Sequence, residues 1–215
     1  MNRTMSVLAH MGTGLLNVIY PGFCISCGEM VERPGLCTGC RSEIRYISRN
    51  TCLKCGKPLG TYAGQQRRCL ECRGTHYFFR RTAALCRYGG AVRDLIHALK
   101  YGGDFSAFSE IERIIHTGVR LRELDNEEFD TVIPVPLALT DRIKRGFNQS
   151  ELIAGCCAAQ LDSPLRRVLR KKRHTPKQVS LSKNERKKNL EGAFSCRRNS
   201  VSGMHVLLID DIFTT

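Results

Sequence analysis

Tryptophan is absent from this 215-residue chain, and aromatic residues of all kinds make up only 7% of it. A core built without large rings must come mostly from Leu, Ile and Val, which this length and an ordinary apolar content allow. Long apolar runs are missing as well. No stretch reaches the roughly 20 residues that cross a bilayer as a helix, so membrane insertion by that route is excluded. The most apolar early stretch, Val7–Phe23, is interrupted by His10, Gly12, Gly14 and Asn17, and Arg3 is the one cation ahead of it. It lacks the small-x-small cleavage site of a secretory signal, and no small-residue pattern suited to lipid attachment precedes Cys24. A short amphipathic or buried helix before the first cysteine is expected, and a cytoplasmic location with it. Acidic residues are also scarce: 20 Asp and Glu face 34 Lys and Arg, a net charge of +14.

The charge is unevenly placed. Residues 1–80 hold eleven Lys/Arg against four Asp/Glu, residues 81–165 ten against twelve, and residues 166–190 eleven against one. Two basic patches therefore flank a neutral middle. Such patches attract polyanions, whether nucleic acid, phosphorylated metabolites or acidic headgroups.

Cysteine, by contrast, is abundant, and eight of the twelve form four C-x-x-C pairs: Cys24/Cys27, Cys37/Cys40, Cys52/Cys55 and Cys69/Cys72. Two residues between thiolates let both sulfurs of a tight turn point at one tetrahedral ion. A glycine follows two of the pairs directly, Cys27-Gly28 and Cys55-Gly56, allowing the left-handed residue such a turn needs. One redox pair would not require four copies in series. The reading is two zinc ions, one on Cys24, Cys27, Cys37 and Cys40, the other on Cys52, Cys55, Cys69 and Cys72. A cross-braced arrangement, first pair with third and second with fourth, fits the spacing too. Four thiolates leave no open position on the metal, so its role is structural. The remaining Cys86, Cys156, Cys157 and Cys196 read as buried or incidental.

From about Thr82 the cysteines thin out and element periods appear. Thr82–Tyr88 reads as a strand and Ala91–Leu99 as a helix with Val92, Leu95, Ile96 and Leu99 on one face. Gly102-Gly103 ends it, and a longer helix is expected over Phe105–Leu121. Asp130–Pro134 is a short buried strand, followed by a Val135-Pro136-Leu137 loop and a helix from about Asn148 to Leu161. Arg166–Glu185 has no hydrophobic period and reads as an extended or mobile loop. Val206–Ile209 is an apolar, parallel-type strand buried on both faces. Alternating strands and helices imply a mostly parallel α/β sheet.

The last ten residues, VLLIDDIFTT (Val206–Thr215), carry the most chemistry. Ligands of open parallel sheets bind beyond the carboxyl ends of the strands. Two adjacent acids there can hold neighbouring ribose hydroxyls, while threonine hydroxyls and the backbone N–H groups after them can cradle a phosphate.

This run resembles the phosphoribosyl pyrophosphate (PRPP) motif of type I phosphoribosyltransferases. YGGAVRDLIHALKYGGD (Tyr88–Asp104), VIPVPL (Val132–Leu137), RGFNQSELIA (Arg145–Ala154) and TPKQVSLSKNERKKNLEGAF (Thr175–Phe194) resemble the ComF competence family, which also has an N-terminal zinc ribbon. The resemblance covers nearly the whole chain. It implies an α/β fold in which a small four-cysteine zinc-ribbon module (residues 1–80, a double ribbon with the N-terminal helix) precedes a type I phosphoribosyltransferase-like domain (residues 81–215). That domain would have a mostly parallel sheet flanked by helices, with the C-terminal part of its core missing.

By the same resemblance Asp210 and Asp211 take the ribose hydroxyls of PRPP, and Thr214 and Thr215 begin the 5′-phosphate loop. Val135, Pro136 and Leu137 form the pyrophosphate loop. Lys171, Arg173, Lys177 and Arg186, on the basic Arg166–Lys188 segment, are candidates to meet pyrophosphate, arginine gripping it bidentately. The implied chemistry, Asp210, Asp211 and Arg186 taking part, is displacement of pyrophosphate with Mg²⁺ neutralising the leaving group. No general base stands out: His97, His174 and His205 are single histidines. The family motif continues past the two threonines with a small-residue phosphate loop, so the stop at Thr215 implies an incomplete, weakly binding or inactive site. The implied setting is natural transformation, with PRPP, single-stranded DNA and other transformation or recombination proteins as partners. A non-catalytic transferase fold that handles single-stranded nucleic acid is the alternative.

Overall fold

A computed structural model describes residues 22–47, 49–59, 67–173, 175 and 183–213. The helix expected before Cys24 lies outside them. Contacts divide the chain into two compact units. One joins the described residues up to Arg45 with Tyr88–Ile111; the other joins Tyr46–Arg87 with Glu112–Thr215. The contacts thus group residues otherwise than the composition boundary near residue 80: the two halves of the cysteine-rich region go with different parts of the later chain.

In the first unit β1 (Gly22–Phe23) pairs antiparallel with β2 (Met30–Val31), and α1 (Thr38–Ser42) follows. Helix α2 (Gly90–His97) buries Ala91, Val92, Leu95 and Ile96, the apolar face expected from the spacing. A wide helical turn over Ala98–Gly102 then ends at Gly103, whose φ of 60° is the left-handed conformation that glycine adopts freely. The next helix, α3 (Phe105–Leu121), has the bounds read from the sequence. Its Glu110 is buried and accepts hydrogen bonds from the Arg41 guanidinium at 2.6 and 3.1 Å and from the Leu36 N–H at 3.4 Å. A buried carboxylate is tolerated because its charge is paired and its lone pairs are occupied.

The second unit contains a small parallel sheet. Strand β3 (Thr131–Pro134) is buried at every residue and pairs in parallel with β6 (Val206–Ile209), from Thr131↔Val206 to Pro134↔Ile209. Leu165 adds one parallel bridge to Val132 on β3. Helix α4 (Leu139–Arg145), which the sequence did not suggest, and α5 (Gln149–Gln160) lie between the two strands in sequence, and α5 packs against both. The expected burial of β6 on both faces is corrected: Leu208 is 55% exposed. Among the described residues β3 is its one ladder partner, so one side of the strand stays open.

Two further expectations change. Thr82–Tyr88 forms no ladder; it runs extended with a single antiparallel bridge, Cys86 to Tyr46. Its polar groups are satisfied individually, the Thr82 N–H by Leu53 and the Leu85 carbonyl by Ile47. The basic Arg166–Glu185 segment, expected as an extended or mobile loop, begins with a strand, β4 (Leu169–Lys171), and its end enters α6 (Lys183–Leu190). The strand exists because β5 (Phe194–Cys196), well over twenty residues later, supplies an antiparallel ladder. Local periodicity carries no trace of such a partner. Among the described residues no helix is long and apolar enough to cross a membrane.

Gly118 on α3 explains how the extended segment packs. A Cβ at this position would lie 2.6 Å from the Leu85 Cβ. Gly118→Ala is therefore expected to lower the unfolding free energy by about 1–3 kcal/mol, the cost of overpacking, even though alanine is the better helix former. Urea denaturation measures this, and an unchanged or higher midpoint would contradict it.

Candidate metal centres and a candidate carboxylate site

The four C-x-x-C pairs assemble in sequence order. One sulfur from each of Cys24, Cys27, Cys37 and Cys40 lies within 4.8 Å of the others, and the same holds for Cys52, Cys55, Cys69 and Cys72. The cross-braced alternative is thereby removed. The two clusters repeat one design. Cys24 and Cys52 each donate their N–H five residues on, to the carbonyls of Glu29 (2.7 Å) and Lys57 (2.8 Å). Their own carbonyls accept the N–H groups of Gly28 and Gly56, both 2.9 Å, and these glycines have φ of 75° and 71°. The second pair of each cluster opens a helical turn, α1 after Cys37 and a 3₁₀ turn over Leu70–Cys72 after Cys69. The N–H of Cys37 donates to the Cys24 sulfur, and that of Cys69 to the Cys52 sulfur, both at 3.3 Å.

All twelve cysteines are free. The Cys27 and Cys37 sulfurs stand 3.7 Å apart and those of Cys55 and Cys69 3.5 Å apart, far beyond the roughly 2 Å of a disulfide. They match the edge of a zinc–sulfur tetrahedron, about 3.8 Å for bonds of about 2.3 Å. The electrostatics agree. Burial alone would raise the Cys24 and Cys52 thiols, but three backbone N–H groups at each outweigh it and bring both down to about 6. Burial and the neighbouring thiols push Cys40 and Cys55 up to about 12. Four crowded thiols resist ionising together, and a dication removes that resistance. Each set of four cysteines therefore fits one structural zinc ion.

The second cluster is also wired to the chain that follows it. Lys54, inside the Cys52–Cys55 turn, is buried, and its ammonium donates to the carbonyls of Phe79 and of Arg80, the latter at 2.7 Å. The same ammonium lies 5.1 Å from the Phe79 ring centre, a cation–π distance. Arg122, buried just after α3, donates to the Thr51 hydroxyl at 2.9 Å.

The carboxylate site forms where β3 and β6 end together. The register Pro134↔Ile209 puts the Val135-Pro136-Leu137 loop beside Asp210 and Asp211, and the Val135 N–H donates to the Ile209 carbonyl at 2.9 Å. The start of α5 completes the site. Asn148 caps the helix by accepting the Ser150 N–H at 3.1 Å, and its amide donates to the Val135 carbonyl at 3.0 Å. The Ser150 hydroxyl donates to Asp210 Oδ1 at 2.9 Å, and Gln149 Nε2 to Asp211 Oδ1 at 3.5 Å. Arg145 in turn donates to Gln149 Oε1 at 2.9 Å. The RGFNQS run thus links loop, helix and acid pair. Its Asn148, Gln149 and Ser150 had no assigned role at the sequence level, because the acids they brace lie about sixty residues away. The cue available was an Asn cap opening a helix directly after a parallel strand.

Asp210 keeps solvent access as a residue, yet its carboxyl group is crowded. Loss of water around that group, then the adjacent Asp211 charge, push it up to about 6. Its folded value thus exceeds the unfolded 3.8, so its contribution to stability is present below the unfolded value and is lost as pH rises through about 6. Asp210→Asn should accordingly raise the thermal midpoint more at pH 8 than at pH 5. Scanning calorimetry at the two values tests this; an equal effect, or a loss at pH 8, would contradict it.

Of the other expected site residues, Arg173 and Lys171 lie at the β4–β5 ribbon. Arg173 donates to the carbonyls of Asn189 and Glu191, at 2.9 and 3.0 Å, at the carboxyl end of α6. Lys171 lies over the Phe194 ring at 5.8 Å. Both are engaged within the β4–β5 ribbon and its helix. Lys177, Thr214 and Thr215 lie outside the described residues, and Arg186 lies on α6 with its side chain outside them.

Residues 15–73 match the family model of the double zinc ribbon domain. The chain is 30% identical over 199 residues to competence protein F of Haemophilus influenzae, covering 89% of this chain and 85% of that one. It is 26% identical to competence protein ComFC of Bacillus subtilis, over 84% of this chain and 72% of the relative. It is 29% identical to DNA utilization protein YhgH of Escherichia coli, over 91% and 86%. No solved structure matches the chain. Identity at this level along nearly the whole length, with both four-cysteine sets in the matched region, is decisive: the chain belongs to the ComF family of competence proteins.

Proposed function

We propose that this protein binds phosphoribosyl pyrophosphate at the shared carboxyl edge of β3 and β6, and that it acts in DNA uptake, as the names of its relatives suggest. The observation that carries the reading is the position of Asp210 and Asp211: two adjacent acids at the end of a parallel strand, where open α/β sheets bind ligands, braced by Ser150 and Gln149. The acids take the two ribose hydroxyls. The Val135-Pro136-Leu137 loop beside them takes pyrophosphate, Thr214 and Thr215 lead into the 5′-phosphate loop, and Lys177 and Arg186 add charge from the basic segment. The fold implied is that of a type I phosphoribosyltransferase. Mg²⁺, a hard cation with oxygen ligands, supplies neutralisation of the pyrophosphate when bound, and the crowded carboxyl of Asp210 fits a role beside a cation.

Binding and orientation are what these residues provide. His205, its Nδ1 2.7 Å from the Glu128 carbonyl, stands at the amino end of β6, the end away from Asp210 and Asp211, and so is not placed to act as a general base beside them. Calorimetric titration with PRPP·Mg²⁺, comparing the parent with an Asp210→Asn/Asp211→Asn variant, tests the reading.

A second reading, a platform for single-stranded DNA, is favoured by the +14 net charge and by the exposed Arg166, Arg167, Arg170 and Lys172 around β4. Binding to phosphates weakens with salt, by about 0.7 in log–log slope per single-strand contact. Neutralising Arg170, Lys171, Lys172 and Arg173 together should flatten that slope by up to about three. Fluorescence anisotropy across a salt series measures it, and salt-insensitive binding, or none at low salt, removes this reading.

A further inference from the structure

We infer that Glu112, His116 and Cys156 form a third metal site, which takes a divalent transition ion and leaves one coordination position open. Glu112 and His116 are four residues apart on α3, a spacing that puts both on one helix face. That face is the exposed one, while Ile114, Ile115 and Val119 on the other are buried. Cys156 comes from α5. One donor atom from each of the three lies within 4.8 Å of the other two, and the Cys156 thiol donates to Glu112 Oε1 at 3.4 Å. One turn further along both helices, the Gln160 amide donates to the His116 carbonyl at 3.2 Å. Two successive turns of α5 therefore face two successive turns of α3, and this second tie holds the donors at their spacing.

The donor set selects the ion. Carboxylate oxygen, imidazole nitrogen and thiolate sulfur together suit zinc, cobalt or nickel, and not magnesium or calcium. Metal–ligand bonds of about 2.0–2.3 Å need donors about 3.3–3.8 Å apart, within reach of a rotamer adjustment by the exposed Glu112 and His116 toward the half-buried Cys156. Their exposure also provides the entry path. Three protein ligands leave the fourth tetrahedral position for water, unlike the two closed four-thiolate sites. On binding, the Cys156 S–H bond breaks, a sulfur–metal bond forms and the proton passes to solvent.

The test uses the full chain with both four-cysteine clusters filled with zinc, to which one equivalent of Co²⁺ is added. Expected are uptake of one cobalt ion, a thiolate-to-cobalt charge-transfer band, and no release of zinc to a metallochromic dye. Cys156→Ala and His116→Ala should each weaken cobalt binding about a hundredfold or more, beyond the loss usual for an outer-shell change. Both should retain two zinc ions. Glu112→Gln, a surface change, should weaken it as well, whereas Cys196→Ser on β5 should leave it unchanged. No third equivalent, cobalt bound without the sulfur band, zinc displaced from a cluster, or uptake indifferent to Cys156 and His116 would each overturn the site.

Discussion

Replacing Cys52 with serine is expected to release one of two zinc ions and to unfold the segment around the second cluster, leaving the first cluster loaded. A structural zinc site in a small module contributes about 10–16 kcal/mol of apparent binding free energy at neutral pH. That is as large as the whole stability of an ordinary domain, about 5–15 kcal/mol, so no local packing can replace it. The neighbourhood shows what would be lost. Thr51 and Cys52 are fully buried, the Leu53 carbonyl takes the Thr82 N–H, and Lys54 holds the carbonyls of Phe79 and Arg80. Once the knuckle opens, the buried lysine and its carbonyl partners lose their geometry together. Cys24→Ser is expected to act in the same way on the other cluster, loosening the Arg41–Glu110 pair and the Leu36 N–H that shares its carboxylate. Zinc content by atomic absorption, with limited proteolysis of each variant, reads both effects. A metal-free chain whose cysteine-rich region stays folded and protease-resistant would refute the assignment.

Converting both acids at the end of β6 to their amides, Asp210→Asn and Asp211→Asn, is expected to weaken PRPP·Mg²⁺ by at least a hundredfold. Hydrogen bonds to a charged group contribute about 1.5–3 kcal/mol each, so two of them correspond to roughly two to four orders of magnitude in affinity. The amide variants keep the oxygen that accepts from Ser150, so the strand end should retain its shape, and the loss reports charge. Single-stranded DNA binding should be unchanged or slightly stronger, since two negative charges are gone. An unaltered affinity in the double variant would move the ribose away from β6 altogether.

The features legible in the sequence were those written locally. Four C-x-x-C pairs announce two tetrahedral sites because two-residue spacing is itself the geometry of a knuckle. Phe105–Leu121 was readable to its ends because a helix of that length repeats its apolar period several times. Asp210 and Asp211 stood out because they interrupt an apolar strand at its carboxyl end. What was hidden depends on partners distant in sequence. β4 is three residues long and owes its existence to β5, and the burial of β6 is set by what lies on its far side, not by its own residues. Ser150 and Gln149 became site residues only when α5 was laid against the ends of β3 and β6. Arg173 reads as a phosphate ligand by charge alone; that its guanidinium donates to the Asn189 and Glu191 carbonyls at the end of α6 is a contact between segments that charge does not reveal.

The pairing of each cluster within one contiguous stretch has a consequence for biosynthesis. The first set of ligands is complete once Cys40 has been made, and the second once Cys72 has, before any strand of the parallel sheet exists. Each site closes a loop of fewer than two dozen residues, so the entropy to be overcome is small and no distant contact is required. Metal can thus be captured while the chain is still being made, in order from the N-terminus. A cross-braced module would have had to wait until Cys55 for its first site, with the Cys37/Cys40 pair left unfilled until Cys72, and could trap a half-loaded intermediate. In a cell short of zinc both ribbons should accordingly still be open when the acid pair is translated.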